Sequence, residues 1–261
     1  MTTTTASEEI SLLESLDAEW IKLPLEIMQD VGPAVQTLGG LLKLTNKETY
    51  VPVGDIARRA RLPVATVRKH LLALDAGGWI ANHGRQHTRR GRPRRTCTIT
   101  LAKQTKDKIE PYTILPWWAC CRINKVGKLP WSVKAVLSVV MARLAALKAG
   151  AQRQGDHDGD AKLIGAIDNM GGQNRFCFSL ASLVKQTGLD HNSVTRAKRL
   201  LCGHFHVVRW IGTERTKGNH GFRPGVTPEP DRLVPNLNFR VLVYPASEGH
   251  VTLSFGSVKT G

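Results

Sequence analysis

Six arginines stand close together between two apolar stretches of the chain. They are Arg85, Arg89, Arg90, Arg92, Arg94 and Arg95. A guanidinium group stays positively charged at any ordinary pH, and it donates N–H groups in a planar fork that matches pairs of phosphate or carboxylate oxygens. The cluster therefore predicts that this part of the chain binds a polyanion through charge-assisted hydrogen bonds.

Four residues of this cluster, Arg90-Gly91-Arg92-Pro93, resemble the core of the AT-hook motif. The resemblance implies insertion into the minor groove of A·T-rich DNA, whose enhanced negative potential attracts arginine. Gly91 would permit close approach, and Pro93 would keep the strip extended. The alternative is contact with phosphates alone. Both alternatives remain open, and both place DNA at this loop.

A second chemical pattern is His204-Phe205-His206. Alternate residues of a strand face the same side, so the two imidazoles could share a metal ion, as in the metal-dependent nicking nucleases that this pattern resembles. Adding Cys202 gives a zinc alternative, but three ligands lack a fourth. The pattern also falls where a helix should meet a strand, which favours a structural role. We therefore expect no enzyme activity, no cofactor and no metal site.

The elements that position the arginines come just before them. Apolar residues recur at Ile56, Leu62, Val67, Leu71 and Leu74, with a break at residues 60–63. This spacing predicts two short amphipathic helices that meet at an angle and bury these positions together. Pro63 suits the start of the second helix, and the pair Gly77 and Gly78 suits its end.

Two strands are predicted to follow, one beginning at Trp79 and Ile80 and a returning one in which Thr96, Thr98 and Thr100 alternate with apolar residues. The arginines then fall in the connecting loop. Together with a predicted helix that opens at Pro33, this order resembles a winged helix-turn-helix domain. The resemblance implies major-groove readout by the second helix, whose outward residues are Val64, Ala65, Thr66, Arg68, Lys69 and His70.

The second half of the chain repeats the first. Residues 112–116 echo residues 20–24 at an offset of 92, and an apolar pattern beginning at Leu180 follows that beginning at Val53 at an offset of 127. The difference of 35 residues appears as an insertion at 150–175, after a predicted helix over 131–147. Asp190 is predicted to cap a second recognition helix, whose first turn would receive a phosphate. Its outward residues are His191, Asn192, Ser193, Thr195, Arg196, Lys198 and Arg199.

These observations predict an α+β, mainly α, protein made of two tandem winged helix-turn-helix domains, each with three helices and a β-hairpin wing. The second wing would pair residues 207–211 with residues 238–243. The expected organisation is a flexible N-terminus (1–16), a first domain (17–102), a linker (103–111), a second domain with its insertion (112–246) and a C-terminal tail (247–261). The second domain could touch DNA or dock a protein.

The composition agrees with a nucleic-acid partner. The chain has 261 residues, with 37 Lys and Arg against 21 Asp and Glu, and a formal charge of +16. It contains no apolar run of the roughly 20 residues that span a bilayer, and its N-terminus has no basic segment typical of a secretory signal. Five cysteines without CxxC spacing indicate a reducing compartment. We therefore expect a cytoplasmic, nucleoid-associated protein with no membrane contact.

The expected function is sequence-selective binding of double-stranded DNA, A·T-rich duplex included, by a transcriptional regulator. One alternative is a plasmid or phage replication initiator, a group that tandem, unlike winged helices also resemble; its partners would include replication proteins. The other is the nicking enzyme built on His204 and His206. Repeated sites beside the gene would favour initiation, and a palindrome in a promoter would favour regulation. The oligomeric state stays open, because two unlike units in one chain can read an asymmetric site as a monomer.

Overall fold

A computed structural model of the chain describes residues 8–12, 14–17, 20–44, 49–87, 93–99, 112–123, 127–153, 180–205, 207–211, 232–235, 239–243 and 250–255. The described part is α+β with more helix than strand, as the sequence predicts. Two hydrophobic clusters lie in the described part; the first is formed mainly by residues of the first half of the chain and the second mainly by residues of the second half. Among the described helices, none combines the length and apolar character needed to cross a membrane.

The described part of the first half contains five strands, five α-helices and one 3-10 turn. They are β1 (Glu8–Ser11), α1 (Glu14–Asp17), β2 (Trp20–Pro24), α2 (Leu25–Val31), a 3-10 turn (Gly32–Ala34), α3 (Val35–Leu44), β3 (Thr49–Tyr50), α4 (Val53–Ala60), α5 (Val64–Ala76), β4 (Ile80–His87) and β5 (Pro93–Ile99). The strands β3, β5 and β4 form one sheet in that order. Pro33 lies in the 3-10 turn that leads into α3, so the predicted helix start is confirmed.

The break between α4 and α5 has a local cause. Arg61 takes a left-handed conformation with φ +55°, and its N–H bonds back to the carbonyls of the last turn of α4. Pro63 then occupies the N-cap position of α5, where its extended backbone starts the new direction. At the other end Gly78, with φ +71°, stops α5 and lets Trp79 turn back into the core.

The second half begins with β6 (Tyr112–Pro116), α6 (Trp117–Cys120), β7 (Arg122–Ile123) and β8 (Gly127–Lys128). Next come the long helix α7 (Trp131–Arg153), then α8 (Leu180–Thr187) and α9 (His191–Arg199), which continues as a π-helical turn (Leu200–His204). Four strands follow: β9 (Val208–Ile211), β10 (Arg232–Pro235), β11 (Phe239–Val243) and β12 (His250–Phe255). The central helix α7 is buried from Val133 to Met141 because it contacts both clusters; Ala135 belongs to the first and Val136 to the second.

The helix pairs of the two halves match at the predicted offset of 127. Val53 and Ala60 bound α4, and the bounds of α8 are their equivalents, Leu180 and Thr187. The turn residue Arg61 corresponds to Gly188, which is also left-handed, with φ +67°. The apolar repeat is therefore a repeat of backbone structure.

The two halves join through β2 and β6, the two segments that the sequence identifies as echoes of each other. They pair antiparallel, Trp20 opposite Pro116 and Pro24 opposite Tyr112. Lys22, at the centre, lies opposite Ile114, which is its own equivalent at the offset of 92. Two identical strands related by a two-fold axis would pair in this same register. The pairing of β2 with β6 is therefore pseudo-symmetric, like the interface of a homodimer.

The predicted boundaries of the two domains need correction at both chain ends. The segment predicted as a flexible N-terminus contains β1, which pairs with β11 of the second half, and Leu12, which is fully buried in the second cluster. The predicted C-terminal tail contains β12, which pairs with β11 and β7. Strands β1 and β12 take part in one five-stranded sheet, β1-β11-β12-β7-β8, in which β1 covers the edge of β11.

Three further predictions were wrong in detail. The partner of β9 is β10, not residues 238–243, which are taken up by β1 and β12. The insertion predicted from residue 150 begins later, because α7 continues to Arg153. Arg85, Arg94 and Arg95 lie within the strands β4 and β5 and not in their loop, since the hairpin stays paired up to His87 and Pro93. The predicted linker 103–111 and the rest of the insertion lie outside the described residues.

Candidate nucleic-acid interface

The outward face of α5 carries most of the residues predicted for it. Ala65, Arg68 and Lys69 are exposed, and Val64 is 40% exposed, a high value for a valine. Thr66 is half-buried. The opposite face packs Val67, Leu71 and Leu74 into the first cluster, so the helix is held by its apolar side and presents its basic side.

His70 has a different role from the one predicted. Its Nδ1 lies 2.7 Å from the hydroxyl of Thr37, a buried residue of α3. Burial lowers the pKa of the imidazole, which favours the neutral ring. His70 thus fixes α5 to α3 and is not a base-contacting residue in this arrangement.

The outward face of α9 carries four exposed polar residues, two of them basic: His191, Asn192, Arg196 and Arg199. In contrast, Lys198 is only 3% exposed, so its prediction as a DNA-contacting residue was wrong. The reason is helical periodicity, because Lys198 comes four residues after the buried Val194 and three before the buried Leu201. It occupies the place that Leu71 has in α5.

Two other predicted residues of α9 have hydroxyl groups that are either buried or already hydrogen-bonded within the helix cap. The hydroxyl oxygen of Thr195 is buried and has no hydrogen-bond partner among the described residues. The Ser193 hydroxyl donates to a carboxylate oxygen of Asp190 at 2.6 Å. Neither hydroxyl is presented to a base edge in this arrangement.

The start of α9 has the predicted cap. Asp190 accepts a hydrogen bond from the backbone N–H of Ser193 at 2.9 Å, and the bonds from Ser193 lower the pKa of its carboxyl group. A phosphate bound at this first turn, as predicted, would therefore compete with the Asp190 carboxylate, which already accepts a hydrogen bond from a backbone N–H group of the turn. At the start of α5 the cap residue is Pro63, whose side chain accepts no hydrogen bond. The first backbone N–H groups of α5 therefore have no carboxylate from the cap residue that would compete with a phosphate.

The hairpin β4–β5 carries three of the predicted arginines within its strands, Arg85 on β4 and Arg94 and Arg95 on β5. Arg85 lies opposite Arg95 and Gln86 opposite Arg94, beyond an irregularity that begins at Asn82. Two residues of a positively charged type, Arg85 and Arg95, therefore occupy directly opposite positions of the hairpin. Arg89, Arg90 and Arg92, with the AT-hook-like segment, lie outside the described residues.

The histidine pattern does not have the geometry that metal binding by a strand requires. His204 ends the π-helical turn that follows α9, and β9 begins only at Val208, so His204 is not on a strand. His206 lies outside the described residues. Burial raises the pKa of the nearby Cys202 thiol to about 11, which keeps it protonated at neutral pH. Among the described residues no three His, Cys, Asp or Glu side chains are grouped so as to hold a metal ion.

Several residues that the sequence did not single out connect the two helix pairs. They are Gln29, Gln36, Arg61, Trp117, Lys128 and Lys134, and each takes part in a contact between the halves. The repeat at offset 92 was the available signal, because it predicts equivalent strands, but pairing of these strands with each other is not a local property.

Comparison with protein-family models, with curated proteins and with solved structures gives no match for this chain.

Proposed function

We propose that the chain is a sequence-selective double-stranded-DNA-binding protein with two winged helix-turn-helix units, α5 and α9 being the recognition helices. The observation that carries the proposal is the pair of exposed polar faces on α5 and α9, which occupy equivalent positions at the offset of 127. Arg68 and Lys69 of the first face and Arg196 and Arg199 of the second can donate to phosphates or to guanine in a major groove.

The arrangement around each recognition helix supports the same proposal. In the first half, three helices (α3, α4 and α5) precede a hairpin, β4–β5, which would be the arginine-rich wing. In the second half, α7, α8 and α9 precede the shorter hairpin β9–β10. The charge of +16 supplies the sequence-independent attraction on which groove readout is built.

A transcriptional regulator, which acts by occupying its site, is the function proposed first. A plasmid or phage replication initiator is the second candidate, because the chain carries two unlike units joined as one body where many regulators dimerise a single unit. Mapping of selected sites separates the two: repeats beside the gene on a plasmid or phage favour the initiator, and a promoter site favours the regulator. Both proposals place the protein at the nucleoid in the cytoplasm.

The experiment that tests DNA binding is a titration at several salt concentrations on random and on A·T-rich duplex. We expect Arg68→Ala to relax selectivity, and Arg90→Ala with Arg92→Ala to remove any preference for A·T-rich duplex. Lys43→Ala is the charge-matched control, since Lys43 is exposed at the end of α3 and outside both recognition helices. If all three variants weaken binding equally on every duplex, the substituted residues only contact phosphates; if the wild type binds no duplex, the proposal is wrong.

A further inference from the structure

The turn between α4 and α5 is held by residues of the other half. The guanidinium carbon of Arg61 lies 5.3 Å from the centre of the Trp117 ring, a distance typical of a cation–π contact. The ammonium group of Lys128 donates to the carbonyl of Arg61 at 3.2 Å. Because Arg61 comes two residues before the cap of α5, these contacts fix the point from which the proposed recognition helix departs.

A buried polar chain holds the same turn from the inside. The ammonium group of Lys134, on α7, donates to the Gln36 side-chain oxygen at 2.8 Å, and the Gln36 amide nitrogen donates to the Ala60 carbonyl at 2.6 Å. Gln36 and Lys134 are both buried. Hydrogen bonds among buried groups are costly to break without replacement. The two linked bonds from Lys134 through Gln36 to Ala60 therefore resist separation of the halves.

The turn between α8 and α9 is held in the reciprocal way. The Gln29 side-chain amide, on α2 of the first half, donates to the Lys185 carbonyl at 2.6 Å and lies 3.3 Å from that of Gln186. A Cβ atom added at the left-handed Gly188 would meet atoms of Gln29 at 3.4 Å, so the two segments are in close contact.

These two sets of contacts come from short helices that are equivalent across the pseudo-two-fold axis through β2 and β6, although Gln29 and Trp117 are not equivalent residues. The helix α2 follows β2 directly, and α6 follows β6 directly, with Leu25 and Trp117 equivalent at the offset of 92. Each of these short helices contributes a side chain that reaches the helix-turn-helix turn of the opposite half, Gln29 from α2 and Trp117 from α6. We call Gln29, Trp117 and Lys128 the reciprocal clamp.

We propose that the reciprocal clamp fixes the separation and the angle between α5 and α9, so that the chain reads two half-sites only at one spacing. This inference rests on the proposed DNA-binding function and adds a specificity that neither recognition helix has alone. Gln29, Trp117 and Lys128 are thus positioning residues, acting through the turns and not by contact with DNA. Two DNA-binding units on a flexible linker would instead tolerate a range of spacings.

The test begins with a duplex selected from a random library by the wild-type protein and footprinted to locate the two contacted segments. Duplexes with 2, 5 or 10 extra base pairs between the segments are then titrated. An insertion of about 5 base pairs turns one segment to the opposite face of the duplex, and one of about 10 restores the face but moves it by about 34 Å. We expect the wild type to lose about tenfold or more in affinity with every insertion.

The clamp variant combines Gln29→Ala with Lys128→Ala, both at exposed side chains, and a second variant adds Trp117→Leu. We expect the clamp variants to keep their affinity for each isolated segment but to lose less than about threefold with 2 extra base pairs, whereas 5 or 10 extra base pairs should remain as damaging as in the wild type because the pairing of β2 with β6 still joins the halves. The control combines Asp30→Ala, next to Gln29 on α2, with Arg122→Ala, which lies on β7 directly opposite Lys128; both residues are exposed, and this variant should keep the wild-type spacing profile.

A distance measurement without DNA separates the clamp from DNA binding. Spin labels attached through non-natural amino acids at Ala73 and Ala181, both exposed, report the distribution of distances between the two helix pairs. A narrow distribution in the wild type that broadens in the clamp variant, together with the altered spacing profile, supports the proposal. An unchanged spacing profile in both clamp variants, or a wild type that tolerates every insertion, overturns it. Failure of the proposed function itself is recognised earlier, because no duplex would then be selected.

Discussion

The two helix pairs share the same turn geometry and helix start, and they differ in side chain at three equivalent positions. The left-handed turn residue is Arg61 in the first pair and Gly188 in the second. The N-cap is Pro63 in the first and Asp190 in the second. A fully buried core position holds Leu71 in the first and Lys198 in the second. Turn geometry and one-sided burial therefore fix the backbone, while several side-chain types satisfy each position.

The exposed faces of the two helix pairs also differ in the types of side chain that they carry. The face of α5 is basic and apolar, with Arg68, Lys69 and a largely exposed Leu72, whereas that of α9 has Asn192, Arg196 and Arg199. The position of Leu72 corresponds to that of Arg199. Two such faces held in a pseudo-symmetric frame would present unlike surfaces to an asymmetric DNA site.

The largest effect is expected from Leu71→Ala, which tests whether the first pair depends on its apolar core position. Leu71 is fully buried, so the loss of its side chain should lower the free energy of unfolding by about 3 kcal/mol. Urea unfolding measures the change. Leu72→Ala, at a neighbouring residue that is 59% exposed, should change it by less than about 0.5 kcal/mol. Equal losses in the two variants would contradict the assigned faces of α5.

A second test concerns how closely the helices of the first half approach. A Cβ atom added at Gly40 of α3 would lie 2.8 Å from that of Ala60 and 2.9 Å from its backbone nitrogen. Gly40→Ala should therefore cost about 2 kcal/mol through overpacking. Gly54→Ala is the control, because no atom lies within 4 Å of the added carbon, and it should stabilise α4 by about 0.5 kcal/mol. A neutral Gly40→Ala would show that α3 and α4 are farther apart than described.

The burial of Lys198 is tested by comparing it with its exposed neighbour Arg199. Under the proposed function, Arg199→Ala should weaken binding of the selected duplex about tenfold, or about 1.4 kcal/mol, and flatten the salt dependence. Lys198→Met removes the same charge but keeps a side chain that fills the buried position, and should change affinity by less than about twofold. If Lys198→Met is the more damaging of the two, Lys198 contacts DNA after all.

The smallest effect is expected at the cap of α9. Asp190→Ala should lower the thermal midpoint by less than Leu71→Ala does, because it removes one exposed cap. Bonds from Ser193 depress the pKa of Asp190 below its ordinary 3.8, so the cap stabilises the fold above that pH and is lost as the pH falls through the lowered value. Asp190→Asn keeps an acceptor without this titration. A wild-type advantage over Asp190→Ala that persisted in strong acid would contradict the cap.

The sequence predicted the local part of the fold and the helix-borne part of the candidate site. The break at Arg61, the start of α5 at Pro63, the cap at Asp190 and the offset of 127 were all legible, because turns, caps and helical periodicity depend on neighbouring residues. Helical periodicity also indicated that Lys198 is buried, because it comes four residues after the apolar Val194. Its charge, however, led to the prediction that it is exposed.

Strand partners and contacts between the halves were decided by tertiary structure alone. The sequence pattern of a strand such as β9 or β1 shows which of its faces is apolar. It does not show which strand will pair with its backbone, because backbone hydrogen bonds can form with any strand that the rest of the fold places beside it. Thus β9 pairs with β10, β1 crosses to β11, and β2 meets its own equivalent β6. The same holds for Gln29 and Trp117. Their contacts with distant turns exist only because the pairing of β2 with β6 brings the two halves together.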